Sequence, residues 1–255
     1  MNTSVEKTLF SKISIDHGPR DLLGRALLKA EAAARHRGVS LSFASMHDLV
    51  AAHKENRATW GALYTGFIPE FNDLTDDNSF FLLGRNAAGQ VVATQVARLY
   101  EWTDTSFHEE TRNLRIFYRD PPAQKLPGER CEVTALAAKG VQGRVLYSGG
   151  AWYHPDYRGL GLVEILPRLA RALAHARWNT DCTITLMAEH NLKKGVFPRN
   201  GYRNIEWDVR FIDTRCGTIR FALLWIKRNE MLEDLEHFLR GFEVELRDRK
   251  RAANA

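Results

Sequence analysis

Long apolar runs are missing from this chain. No stretch approaches the roughly 18 to 20 consecutive apolar residues that cross a bilayer as a helix, so no membrane span is expected. The opening segment, MNTSVEKTLF, lacks the basic, then apolar, then small-residue order of a secretory signal, and a cytoplasmic location follows as the expectation. Cysteine is scarce, with Cys131, Cys182 and Cys216 the only three. An odd number at wide spacing suits reduced, buried thiols better than a disulfide framework or a zinc site. Histidine is more plentiful, at nine, yet no pair stands at metal-ligand spacing: His108 opens HEETR and no second histidine follows four residues on. No metal is expected. Internal repeats and low-complexity tracts are absent as well.

What is present is enough apolar material for one sizeable core, 44% of 255 residues, with 26% charged. A formal charge of +5 favours anionic ligands, and the tail Arg247, Asp248, Arg249, Lys250, Arg251 contributes to that excess. A phosphate-bearing cofactor satisfies it as well as nucleic acid does, and nucleic acid is not the expected partner.

Residues 21–37 carry Leu22, Leu23, Ala26, Leu27 and Ala30 at helical spacing and stop at Gly38, which predicts a helical appendage. A short strand over 39–43 follows, then a helix from a capping box at Ser45 and Asp48 toward Thr65. Residues 80–83 and 91–100 read as a hairpin. The irregular, polar stretch 101–125, broken by Pro121 and Pro122, reads as an insertion over the surface. Residues 132–138 and 144–153 predict a second hairpin. Residues 163–178 form a helix with Ile165, Leu166 and Leu169 on its core stripe and Arg168, Arg171 and His175 on its wet side. A strand over 183–187, a short helix over 191–197, a hairpin of 208–212 with 218–226 and a charged amphipathic helix over 230–247 complete the order. This is an α/β fold around one mixed sheet.

The segment Tyr153, His154, Pro155, Asp156, Tyr157, Arg158, Gly159, Leu160, Gly161, Leu162, Val163 leads from a strand through a tight turn into a helix. Two glycines let backbone approach a ligand, and successive amides at a helix N-terminus present positive charge to a pyrophosphate. Here the chain resembles the GNAT superfamily of acyl-CoA N-acyltransferases, whose signature places Arg or Gln, then Gly, then Gly or Ala where Arg158, Gly161 and Val163 stand. Asn191 after a strand, with the pair Gly201 and Tyr202, is similar to the family's second half-motif. The match is good over 153–202 and loose in element order over about 39–227. Val163 departs from the family's small residue, and Phe197 stands where many members carry the tyrosine that protonates the departing thiolate.

The resemblance implies a GNAT-like mixed, mostly antiparallel sheet flanked by helices. The domain would span 39–228 with an insertion at about 101–130, a helical N-terminal extension at 1–38 and a C-terminal helix at 229–255. It implies acetyl-CoA or another acyl-CoA as co-substrate, held by Trp152, Tyr153, Arg158, Gly159, Leu160, Gly161, Leu162, Val163, Asn191 and Phe197. The implied reaction is direct attack of a small-molecule amine or amino acid on the thioester, the oxyanion being held by a backbone N–H of the strand before the loop. Gly149 and Gly150 would permit a bulge that splays that strand from its neighbour. An attacking ammonium must lose a proton first. Glu132, on a strand expected to flank the reactive one, is the first candidate base. Tyr147, placed by alternation on the same face as Tyr153, is a second catalytic candidate. Two other readings stay open: a long-chain N-acyl amino acid synthase-like enzyme, and a non-catalytic CoA-binding module. A homodimer also stays open.

Overall fold

Alternation and helical periodicity place most elements close to where the sequence puts them. In the computed structural model, which describes residues 13–253, the order is α1 (Arg20–His36), β1 (Ser40–Ala44), α2 (Met46–Glu55), β2 (Ser79–Arg85), β3 (Val91–Trp102), α3 (Phe107–Arg112), α4 (Pro121–Gln124), β4 (Arg130–Val133), β5 (Gly143–Tyr153), α5 (Leu162–Trp178), β6 (Cys182–Ala188), α6 (Glu189–Lys193), α7 (Val196–Arg199), β7 (Asn204–Thr214), β8 (Gly217–Lys227) and α8 (Arg228–Ala253). The opening segment in which no signal order was found lies outside the described residues, as do the side chains of the basic tail. No described helix is long and apolar enough to cross a membrane.

The eight strands of the described residues join one sheet in the order β1-β2-β3-β5-β6-β8-β7-β4. Every neighbouring pair is antiparallel except β5 with β6. The fold is therefore mixed α/β with a mostly antiparallel sheet. One face carries α1, α5 and α8 over a core of Leu23, Leu27, Leu146, Leu166, Leu169, Leu224 and Leu235. Leu23 and Leu27 are fully buried, each worth about 1.5–3 kcal/mol relative to exposure. The other face is aromatic, with Trp60, Phe67, Phe107, Phe117, Tyr147, Trp152 and Phe211.

Four local expectations are corrected. The helix capped by Ser45, whose hydroxyl accepts the Asp48 amide, ends at Glu55 rather than near Thr65; the Asn56 side chain turns back to the Ala52 carbonyl and the chain leaves in turns. The stretch 101–125 does not run over the surface: Phe107, Leu114, Ile116, Phe117 and Tyr118 are buried in the aromatic face, and α3 and α4 break its irregularity. Residues 132–138 form no hairpin with β5. The chain turns through a 3-10 segment at Leu136–Gly140, anchored by the Glu206 carboxylate accepting the Leu136 and Ala137 amides, and β4 pairs with β7 at the far edge. Finally, Arg171 and His175 of α5 are buried: Arg171 meets Asp234 of α8, and His175 lies beneath Gly18 in the segment before α1, whose Asp16 and His17 amides donate to the Ala176 carbonyl. The Asp234 carboxylate of α8 takes Arg168 in two contacts of 2.9 Å and Arg171 in one of 3.3 Å. Removing one partner of such a buried pair costs about 3–5 kcal/mol.

Candidate functional site

The parallel ladder between β5 and β6 has three residue pairs, Val145 with Cys182, Leu146 with Thr183 and Tyr147 with Ile184. Beyond Tyr147, β5 runs six more residues with no β6 partner among the described residues. The two strands have parted.

A bulge causes the parting. Against β3, Val96 pairs with Gly149 and Thr94 with Trp152, so two residues of β5 answer one of β3. Gly150 takes φ +58°, and a Cβ there would come within 2.5 Å of Val96 Cγ2, which is why the position needs glycine. Polar side chains from β3 take up the disturbed backbone. The Thr94 hydroxyl donates to the Gly150 carbonyl at 2.7 Å and accepts the Trp152 amide at 3.1 Å, while Gln95 Nε2 donates to the Gly149 carbonyl at 3.1 Å and to the Ser148 hydroxyl at 3.0 Å.

The extra residue also flips the side chains that follow. Tyr147 and Trp152 both lie in the aromatic face, whereas Tyr153 packs on the helical face. The expectation that Tyr147 and Tyr153 share a face is corrected, since simple alternation fails across a bulge. Tyr147 is buried and stacked on Tyr64 at 4.6 Å, and burial holds its hydroxyl well above the ordinary phenol range. Trp152 is stacked on Trp60 at 5.2 Å.

Past Tyr153 the chain makes the loop. Arg158 folds back, its Nε donating to the Tyr153 carbonyl at 3.1 Å and Nη2 to the Thr59 carbonyl at 3.3 Å. Gly159 and Gly161 take φ +81° and +77°, and no atom lies within 4 Å of where a Gly159 Cβ would stand. Leu160 is exposed. Gly161 is the N-cap of α5 in the left-handed conformation and offers no side-chain cap, so amides of the first turn, at Leu162 and Val163, remain available to an anion. The Tyr153 hydroxyl donates to the Leu162 carbonyl at 3.4 Å. A second cation arrives from outside the motif: Arg37, after α1, donates to the Leu160 carbonyl at 2.5 Å, and its Nη2 stands 3.5 Å from the Gly161 Cβ position. Sequence reading missed Arg37, because 123 residues separate it from the carbonyl it holds.

Asn191 sits half-buried in α6. Phe197 departs from helical geometry, with ψ 131°, and packs on the helical-face core with Leu192 and Tyr153. Glu164 of the first turn of α5 pairs with Arg199 of α7 at 2.8 Å, which ties this segment to the loop. Glu132 is elsewhere. It lies on β4 at the sheet edge, exposed, with Arg130 at 3.7 Å, and β6, β8 and β7 separate it from β5. The expectation that its strand flanks the reactive one is corrected: the turn at Leu136–Gly140 carries β4 to the opposite edge of the sheet.

No protein-family model matches the chain, and no curated protein matches it. Among solved structures it is similar to mutant forms of the spermidine/spermine N-acetyltransferase SpeG from Vibrio cholerae, at 11% identity and a TM-score of 0.45, over 77% of this chain and 97% of that one. It is similar to NAA60 from Arabidopsis thaliana in complex with acetyl-CoA, at 10% identity and a TM-score of 0.48, over 75% of this chain and 99% of that one. An uncharacterized protein from Bacillus halodurans is similar at 11% identity and a TM-score of 0.46, over 80% of this chain and 91% of that one.

Proposed function

We propose that the chain is an acyl-CoA-dependent N-acyltransferase of GNAT type, which moves an acetyl or other acyl group to an amine. The observation that carries this reading is the juxtaposition of a parted parallel strand pair with a loop of two left-handed glycines opening a 17-residue helix. The first gives a slot for a pantetheine arm. The second gives a cradle for its pyrophosphate at residues 158–163, with Arg37 as a further positive group.

The residues present fit that co-substrate. Open space at Gly159 admits phosphate oxygens close to the backbone, and the uncapped amides of α5 donate to them. Trp152 and Tyr153 on one side, and Asn191 and Phe197 on the other, border the slot. Attack of a neutral amine on the thioester carbonyl forms the C–N bond, and a β5 amide freed from β6 holds the developing oxyanion. The amine sheds its proton to water, since no carboxylate of β4 is near. Tyr147, held protonated by burial, serves as a wall of the slot rather than as a base.

A second reading has an observation of its own. A cavity of about 390 Å³ behind Trp60 is lined by His53, Arg57 and Arg215, with no acidic side chain among its lining residues. It suits an acceptor that carries a carboxylate, as in transfer of a longer acyl chain to an amino acid. Release of free thiol, followed over a panel of acyl-CoA donors against amines and amino acids, tests both readings. Turnover with uncharged-tail amines and short donors supports the first, and turnover confined to amino acids supports the second. Absence of thiol release with every acceptor in the panel, from a protein that still binds CoA, would leave the binding module.

A further inference from the structure

From Tyr147 onward the aromatic face of β5 is covered by one segment between α2 and β2. Trp60 stacks on Trp152 at 5.2 Å, Tyr64 stacks on Tyr147 at 4.6 Å, and Phe67 comes within 3.0 Å of where a Gly149 Cβ would stand. The opposite face carries α1, α5 and α8. An acceptor bound for the slot therefore comes through the aromatic face, and this segment lies in its way. The cavity of about 390 Å³ is on the far side: Trp60, Gly61, Ala62 and Leu63 line it, whereas no residue of β5 does.

The two halves of the segment are held unequally. Its second half is fixed by buried groups: Asn72 Nδ2 donates to the Thr65 carbonyl at 2.9 Å, Arg98 donates to the Gly66 carbonyl, and the Tyr64 hydroxyl donates to the Ile116 carbonyl at 3.0 Å. Residues 59–63, ahead of it, belong to no helix or strand. Gly61 and Ala62 are exposed, and nothing lies within 4 Å of where a Gly61 Cβ would stand. Three side chains reach the carbonyls of this first half. His53 Nε2 donates to Gly61 at 2.8 Å, Cys216 Sγ to Leu63 at 3.4 Å, and Arg158 Nη2 to Thr59 at 3.3 Å. Arg158 belongs to the loop assigned above to the pyrophosphate. It is exposed, and the acceptors of both its hydrogen bonds are neutral carbonyls.

We propose that residues 59–63 are a gate between the cavity and β5, latched by Arg158 and released when a pyrophosphate draws Arg158 away from the Thr59 carbonyl. The proposal rests on the acyl-CoA reading. A guanidinium bonds an ionised phosphate oxygen roughly twice as strongly as a neutral acceptor, so the exchange runs toward the pyrophosphate. A ligand shifts an equilibrium only by the difference between its affinities for the two states. Arg158 supplies that difference, because its Nη2 is free for the pyrophosphate once it has left Thr59. On release Trp60 leaves Trp152, and the cavity joins the slot. Opening has a compensation: Trp152 Nε1 is buried with no partner among the described residues while the gate is shut, and an open gate gives it water. Until CoA is seated, the stack keeps the slot closed.

Fluorine NMR of the full chain labelled with 5-fluorotryptophan reads the gate, the Trp60 resonance being identified by its loss in Trp60→Phe. Saturating CoA should move that resonance toward the position of free 5-fluorotryptophan. Dephospho-CoA, which keeps the pyrophosphate, should do the same, and pantetheine, which carries no phosphate, should not. Arg158→Gln, a change at an exposed side chain, should show the moved resonance with no ligand present. CoA binding by calorimetry with the Trp60 resonance unmoved overturns the proposal. So does an equal movement with pantetheine, or an unmoved resonance in Arg158→Gln. If wild type binds no CoA, the acyl-CoA reading fails; a resonance that moves in Arg158→Gln then still supports the latch, and one that stays overturns it.

Discussion

Tyr147 and Trp152 lie on the same face of one strand although they stand five positions apart, an odd spacing that a regular strand would send to opposite faces. The bulge at Gly150 makes the difference, and it is also what turns β5 away from β6.

Gly150→Val should accordingly do two things. It forces a β-branched residue to φ +58° and drives Cβ toward Val96 Cγ2 at 2.5 Å, for a loss of about 1–3 kcal/mol in stability from backbone strain alone. It should also abolish turnover in whatever fraction remains folded, because relief of the strain requires the bulge to close. Urea unfolding together with a thiol-release assay measures both, and unchanged stability would contradict the bulge.

Glu132→Gln should leave turnover and its pH profile unchanged, because the residue lies at the far edge of the sheet with Arg130 as its neighbour. A pH-rate profile of the variant beside wild type checks this. A lost basic limb would mean that β4 reaches the reacting amine.

His175 gives a pH dependence of stability. It is buried at 1% exposure, with Nδ1 at 3.2 Å from the Thr180 carbonyl, and burial, followed by the charge of Arg228, lowers its pKa from the ordinary 6.5. The unfolded chain binds the proton more readily than the folded one, so stability is full above about pH 6.5 and is lost as pH falls through the folded pKa. His175→Gln should flatten that slope. Urea unfolding at several pH values between about 5 and 7.5 reads it, and an identical slope in the variant would contradict the assignment.

Much of this was legible in the sequence wherever the signal is local. The capping box at Ser45, the apolar stripe of α5 and the glycines of the loop all stand where their spacing put them. So does the side-by-side placement of β5 and β6, which follows from a strand, loop, helix, strand order. What stayed hidden depends on partners far along the chain. Arg171 reads as a wet-face arginine until α8, some 60 residues on, brings Asp234 to it. β4 reads as the neighbour of β5 because sequence adjacency favours a hairpin, and the pairing with β7 that displaces it has no local signature. Alternation misplaced Tyr153 because one extra residue at the bulge inverts every later side chain. Arg37 matters only through its contact with a residue 123 positions away.

Residues 158–163 are proposed to hold a CoA pyrophosphate, and calorimetric titration of CoA against wild type and Gly161→Val, with circular dichroism to establish that the variant is folded, decides whether they do. The wild type should bind. Valine at φ +77° places its branches at the mouth of the α5 N-terminus beside Arg37, so affinity should fall by at least about tenfold, roughly 1.4 kcal/mol, with the fold retained. Equal affinities in the two proteins, or no binding by wild type, would make the loop an ordinary turn and contradict the account.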